Sequence, residues 1–386
     1  MKLKLILFAL VFCLAHFASA QTNLAFPGAE GFGRFATGGM GGEIVHVTTL
    51  EDAGPGSFRE AVSKPNRIVV FDVGGIIALK SNVAVSGDIS LLGQTAPGDG
   101  VGLYGRSVSF SGQKNIIVRY LRFREGIAGD RGKCSVNISK GENMIFDHCS
   151  IQWGRWDCLG VTQGSRDITF QHCIIGEGVD PQRFGSLTDA ATNVTYSHNL
   201  WINNQSRNPK AKGRIQYVNN VVYNWGVCGL VGGHSGADHF QDVVGNYFIA
   251  GPNSNQSAVG QFSATDHVFQ KGNLVDGDKD GKLNGRELLP ADFGGGEDAP
   301  TFVSAPSNGS LSGLNIQPAA DALADVLAHA GCSLHRDAVD TRLIEAVKSY
   351  GKTGKIIHTE AEAGGIGEWK EIHAPANLKA INAPSF

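Results

Sequence analysis

A polar triplet returns six times in the middle of this chain at nearly constant spacing. Asp147-His148-Cys149 is followed by Gln171-His172-Cys173, Ser197-His198-Asn199, Val218-Asn219-Asn220, Val244-Gly245-Asn246 and Lys271-Gly272-Asn273. Counted on the third residue, the steps are 24, 26, 21, 26 and 27. Each triplet ends or closely follows a short β-prone run, such as Met144-Ile145-Phe146 or Ile168-Thr169-Phe170. A strand with a polar corner at this interval is the signature of a solenoid. One coil cannot bury its apolar side alone, so neighbouring coils must stack. Asn199, Asn220, Asn246 and Asn273 then fall in one column, where their amides can bond to each other up the stack.

The ends read differently. Lys2 and Lys4 border an apolar run from Leu5 to Ala15, and Ala18-Ser19-Ala20 follows. This predicts a secretory signal peptide over residues 1–20, too short in its apolar part to span a bilayer. The mature chain is expected to work outside the cytoplasm, secreted or periplasmic. A β-solenoid grows along one axis, so residues 21–292 can form one domain. Residues 293–386 differ in composition. Phe293 to Gly313 is rich in Gly, Ser, Pro and Ala and reads as a linker. Ala319–Ala330 and Asp337–Val347 carry apolar residues at helical spacing. These short helices are expected to pack on the coil or cover its end, protecting a strand edge. Gly365 to Phe386 reads as irregular.

Formal net charge is only −3, so there is no broad basic field for nucleic acid, and no membrane span is expected after the leader. A monomer is expected. Six Cys remain after Cys13, and 15 pairings are open to them. Cys149 and Cys173 share one column and read as stacked core residues, not as a bridge. His148, His172 and His198 also share a column. They lack tight zinc spacing and read as corner packing. The Gly-rich opening, AFPGAEGFGRFATGGMGG, has no Walker lysine and is a poor phosphate cradle.

A second motif is Asp276-Gly277-Asp278-Lys279-Asp280-Gly281-Lys282-Leu283-Asn284-Gly285-Arg286-Glu287. It fits a twelve-residue calcium loop: Asp276, Asp278, Asp280, the Lys282 carbonyl and Glu287 as ligands, with Asn284 acting through water. No helix precedes it, so its expected role is to fix a loop on the coil.

The ordered segments AFPGAEGFG, TTLEDAGPGSFREAV, FDVGGII, GQTAPGDGV, NIIVRYLRFR, IFDHCSIQW, Ser206-Arg207-Asn208-Pro209-Lys210 and Asn219-Asn220-Val221-Val222-Tyr223-Asn224-Trp225 resemble the pectate lyases of polysaccharide lyase family 1. The resemblance implies a right-handed parallel β-helix. It also implies calcium-assisted β-elimination of uronate polymers on one long face. Arg207 matches the family's catalytic arginine. Lys210, Lys212 and Arg214 are the expected carboxylate-binding cations, and Arg183 is the nearest substitute for a further family lysine that is not evident here. Asp147, Asp157 and Asp180 are the expected calcium ligands. Lys at 210 and 212 stands where the family favours Arg, and a second acid beside Asp157 is absent. A polysaccharide-binding coil with reduced or lost activity is the alternative.

The chemistry suits these residue types. The C5 proton of a uronate lies beside a carboxylate, and a cation on that carboxylate acidifies C5. Arginine is normally protonated, so acting as base would need neighbouring cations to disfavour its charge. Even charged, it can stabilise an enolate-like transition state.

Overall fold

The computed structural model describes residues 23–255, 257–294 and 299–375; the predicted leader at 1–20 lies outside them. The chain winds as a parallel β-helix of about nine turns. Each turn sends one strand to each of three rows. The first row includes Glu142–Asp147, Arg166–Gln171, His239–Val244 and Asp266–Lys271. The second includes Ser150–Gln152, Ile174–Gly176, Leu200–Ile202, Val221–Tyr223 and Tyr247–Ile249. The third includes Val136–Ser139 and Asp157–Thr162. The long strands Phe184–Ser197 and Lys210–Val218 run from the third row round the corner into the first. This joins the two rows into one 17-stranded sheet, beside an 11-stranded sheet.

The recurring triplet is the corner between the first and second rows. Its middle residues, His148, His172, His198, Asn219, Gly245 and Gly272, all have φ between 48° and 64°. Left-handed backbone favours Gly and Asn, which occupy the last three positions. The three histidines stack instead, with ring centroids 4.9 and 5.0 Å apart, and Tyr120 extends the stack at 4.7 Å. The third residues point into the coil. Asn199 donates to Asn220 Oδ1 at 3.0 Å, Asn220 to Asn246 at 3.1 Å and Asn246 to Asn273 at 2.9 Å. Each amide oxygen also accepts the main-chain N–H of the residue one coil below. All four are fully buried. The ladder is thus a buried polar column with its bonds satisfied. Cys149 and Cys173 continue the column as free thiols, and all six cysteines among the described residues are buried and unbridged.

The Gly-rich opening is a strap across the first row. Gly33 N–H reaches Thr169 Oγ1 at 2.9 Å, and Gly39 N–H reaches Ser90 Oγ at 3.0 Å. A Cβ on Gly33 would lie 2.0 Å from the Met144 carbonyl, so only glycine fits. A single turn of helix, α1 (Phe58–Ala61), covers the N-terminal end and buries Phe58.

The C-terminal part packs along the side of the coil, not over its end. Helices α2 (Ala319–His329) and α3 (Ala338–Lys348) bring Leu323, Val326, Leu343 and Ile344 onto Ile174, Leu200, Val221 and Tyr223 of the second row. Asp337 caps α3 by accepting from Asp340 N–H. Arg124 reaches both carboxylates, and Gln152 donates to Asp340 at 2.9 Å. Part of the tail is regular: Ile372–His373 pairs antiparallel with Val73 and Gly74. No described helix is long and apolar enough to cross a membrane.

The ladder is testable. Asn220→Ala strips partners from Asn199 and from the Tyr196 carbonyl. Each buried group left unpaired costs about 1–3 kcal/mol, so a loss of about 2–4 kcal/mol in urea unfolding is expected. An unchanged midpoint would contradict the role given to the column.

Candidate functional site

The third row presents the residues singled out around Arg207. Parallel pairing sets Asp157 beside Phe184, and Phe184 beside Ser206, so the three stack on successive coils. Arg207 follows Ser206 with φ 61°. Its guanidinium reaches back to Asp157, with Nη1 at 3.2 and 3.3 Å from the two carboxylate oxygens. On the way it lies over the Phe184 ring, 4.2 Å from the centroid. Strands in a stack are about 4.8 Å apart, so the side chain spans two rungs. Leu187 pairs with Lys210, and Asp189 with Lys212, along the same row. Lys212 bonds Asp189 at 3.1 Å, and Lys210 reaches Gln261 at 3.5 Å. Burial, with Arg207 and Lys212 nearby, lowers the Lys210 ammonium from its usual range. The row thus gathers Arg207, Lys210 and Lys212, of which Arg207 is paired with Asp157 and Lys212 with Asp189.

Asp157 is the buried acid of this face. Burial raises its carboxyl to about 6, and Arg207 only partly opposes the shift. Asp180 and Arg183 stand on the loop before Phe184. They bond each other at 3.4 Å, and His358 of the C-terminal segment bonds Asp180 at 3.1 Å.

Two expected members lie elsewhere. Asp147 ends a first-row strand, fully buried and across a corner from Asp157. It takes bonds from Arg119 at 2.7 Å and Gln171 at 2.8 Å, and its Oδ1 is 2.8 Å from His148 Nδ1. Burial alone would raise its carboxyl, but His148 and Arg119 hold it at about 2. Asp147, His148 and His172 have ligand atoms within 4.8 Å of one another. The stacked rings, 6° from parallel, direct their in-plane lone pairs side by side, not toward one point. Arg214 has passed the bend of its strand. It donates to the Ser307 carbonyl at 2.7 Å and lies over Phe240, so it anchors the linker and does not join Arg207, Lys210 and Lys212. The adjacency of Arg214 to Lys212 in sequence hid that bend.

The acidic loop at 276–287 forms a separate site. Lys282 N–H bonds Asp280 at 2.8 Å and Asn284 N–H bonds Asp276 at 3.2 Å. The Asn284 amide reaches Asp278 and Asp280 at 3.2 and 3.3 Å. Asn284 thus draws Asp276, Asp278 and Asp280 together through its main-chain N–H and its side-chain amide. Glu287 lies on a short exposed strand, Arg286–Glu287, paired antiparallel with Leu274 and Val275.

Sequence reasoning missed Phe184, Asp189 and Gln261. Phe184 and Asp189 carried a usable signal, because they sit one coil before Ser206 and Lys212. Gln261 lies two coils beyond Lys210, on a segment with no repeat to index it.

The fold defines a right-handed parallel β-helix protein. No protein-family model matches the chain. The probable pectate lyase C of Aspergillus flavus is 42% identical over 382 residues, 97% of this chain and 89% of the relative. Among solved structures, the thermostable pectate lyase PL 47 superposes with a TM-score of 0.57 at 15% identity, over 82% of this chain and 99% of that one. A pectate lyase bound to a hexasaccharide gives 0.55 at 13%, over 83% and 100%. The chain belongs to the pectate lyase family, and so to the polysaccharide lyases.

The Asp157 shift has a sign that can be checked. The folded carboxyl keeps its proton to about pH 6, against an ordinary 3.8. Between those values the folded state holds the extra proton, so stability falls as pH rises through that window. Asp157→Asn should make this fall shallower in urea unfolding measured from pH 4 to 6, leaving the share of other raised carboxyls such as Glu125. Parallel slopes in the two proteins would contradict it. Asp147 has the opposite sign: its contribution is present above 3.8 and lost as pH falls toward 2.

Proposed function

We propose that this chain is a secreted pectate lyase that cleaves (1,4)-linked galacturonan by β-elimination on the face bearing Arg207. The observation that carries this reading is the convergence of Arg207, Lys210 and Lys212 on one outer row, beside the buried Asp157. Lys210 and Lys212 hold uronate carboxylates as point charges. Arg207 receives the C5 proton or, while charged, stabilises the enolate-like transition state. The leaving oxygen at C4 departs as the C4–C5 double bond forms, giving an unsaturated sugar end. Asp180 and Arg183 form an ion pair at the edge of this face, where Arg183 can meet a further uronate. The apolar leader at residues 1–20 supports export.

Calcium has two candidate places. At the catalytic face the fit is partial: Asp157 offers one carboxylate, and Asp180 is already paired with Arg183 and His358. A calcium ion there would rest largely on substrate carboxylates and would acidify C5. The loop offers more carboxylates, since Asp276, Asp278 and Asp280 each accept a bond from Asn284. Its cation would tie the loop to the last coil.

Arg207→Ala should cut the rate of unsaturated product, read by ultraviolet absorbance on polygalacturonate, by about a hundredfold or more. A wild-type rate would dismiss the assignment. Asp276→Ala should lose one bound calcium per chain by titration calorimetry and melt at lower temperature in calcium. Unchanged stoichiometry and melting would dismiss the loop.

A further inference from the structure

Phe184 is a half-buried phenylalanine on the strand that faces the site, where Leu187 is the other half-buried apolar side chain near Asp189 and Lys210. It belongs to none of the apolar clusters of the coil. Its backbone pairs with Asp157 on one side and Ser206 on the other. The Arg207 guanidinium rests on its ring at 4.2 Å and ends on Asp157. These are the two side-chain contacts that orient the Arg207 head among the described residues.

The two contacts differ in kind. Asp157 is a carboxylate, and any cation brought to this face competes for the oxygens that Arg207 now holds. The ring is neutral and fixed by the strand, so its hold on Arg207 does not depend on what Asp157 binds. Gly185 leaves the strand no slack, since a Cβ there would lie 2.5 Å from the Arg207 carbonyl. Arg207 itself carries a left-handed backbone, which aims the side chain across the rungs and not along its own strand.

We infer that Phe184 is the positioning residue of this lyase, a platform that keeps the Arg207 guanidinium over the substrate while Asp157 changes partners. The inference rests on the reading that Arg207 acts at the reacting carbon. It assigns Phe184 no contact with the reacting atoms. A flat aromatic face is what the role requires, so Tyr should serve and a branched aliphatic of similar bulk should not.

The test is steady-state kinetics on polygalacturonate with Phe184→Leu and Phe184→Tyr, alongside Arg207→Ala. Phe184→Leu should lower kcat by about tenfold or more while KM moves less than about threefold, and Phe184→Tyr should restore most of kcat. Labelling of Arg207 by phenylglyoxal, followed by peptide mass spectrometry without substrate, should be faster in Phe184→Leu than in wild type. The labelling remains readable even if Phe184→Leu is too inactive to assay. A change confined to KM would make Phe184 a sugar-stacking surface and overturn the inference. So would unchanged kcat and unchanged labelling in Phe184→Leu. If Arg207→Ala keeps the wild-type rate, the functional reading fails first. If Arg207→Ala is inactive and Phe184→Leu is not impaired, the platform alone fails.

Discussion

Every coil of this molecule must turn the same corner at the same residue, and the rest of the structure depends on that registration. A left-handed residue makes the turn, and the buried residue after it bonds to its counterpart one coil on. Side chains alternate between faces along a strand, so a slip of one residue would exchange inside for outside. The asparagine column makes such a slip costly, because each amide would lose a side-chain and a main-chain partner together. Where the column gives way to Cys149 and Cys173, aromatic stacking takes over. His148, His172 and His198 stack at the corner, and Phe146, Phe170 and Tyr196 stack inside it.

That registration reaches the third row, where it matters chemically. Asp157, Phe184 and Ser206 are 27 and 22 residues apart in sequence, yet they stand on consecutive coils. Arg207 can therefore touch two earlier coils at once. The arrangement sets a buried carboxylate beside a partly exposed guanidinium, and desolvation works against the charge of the carboxylate. The Asp157 carboxyl accordingly titrates near 6 despite its partner. On the first row Asp147 shows the opposite balance, because Arg119, Gln171 and His148 surround it. Two buried aspartates thus differ through the number of partners supplied by neighbouring coils.

The C-terminal segment is held by a second buried charge system. Arg122 and Arg124 rise from the second row to meet Asp337 and Asp340 at the start of α3. All four are at least nine-tenths buried, so removal of one partner would leave charge stranded at a cost of about 3–5 kcal/mol. The helix start carries partial positive charge, which favours the two aspartates there. This dock sets the C-terminal segment on the flank, and its later residue His358 then meets Asp180 beside the face that bears Arg207.

The repeat told the fold because solenoid packing is local: each coil meets its neighbours, and sequence spacing becomes spatial order. Ala319–Ala330 and Asp337–Val347 were legible as helices from their apolar spacing, and Asp337 proved to be the cap. Arg207, Lys210 and Lys212 were picked out through the resemblance of their segment to the pectate lyases, not through the repeat. What the residues could not reveal was where a long strand bends. Arg214 follows Lys212 by two positions, yet the bulge near Ala191 and Gly213 carries it round the corner to Ser307. Nor could they reveal that Asp147 and Asp157, ten residues apart, face different sides of the coil, or that Phe184 would lie beneath Arg207. The sequence alone determined the coil, its corners and its columns, because these follow from periodicity. Only the tertiary structure decided which charges share a face, because that depends on the angle each corner takes and on which carboxylates are left partly paired.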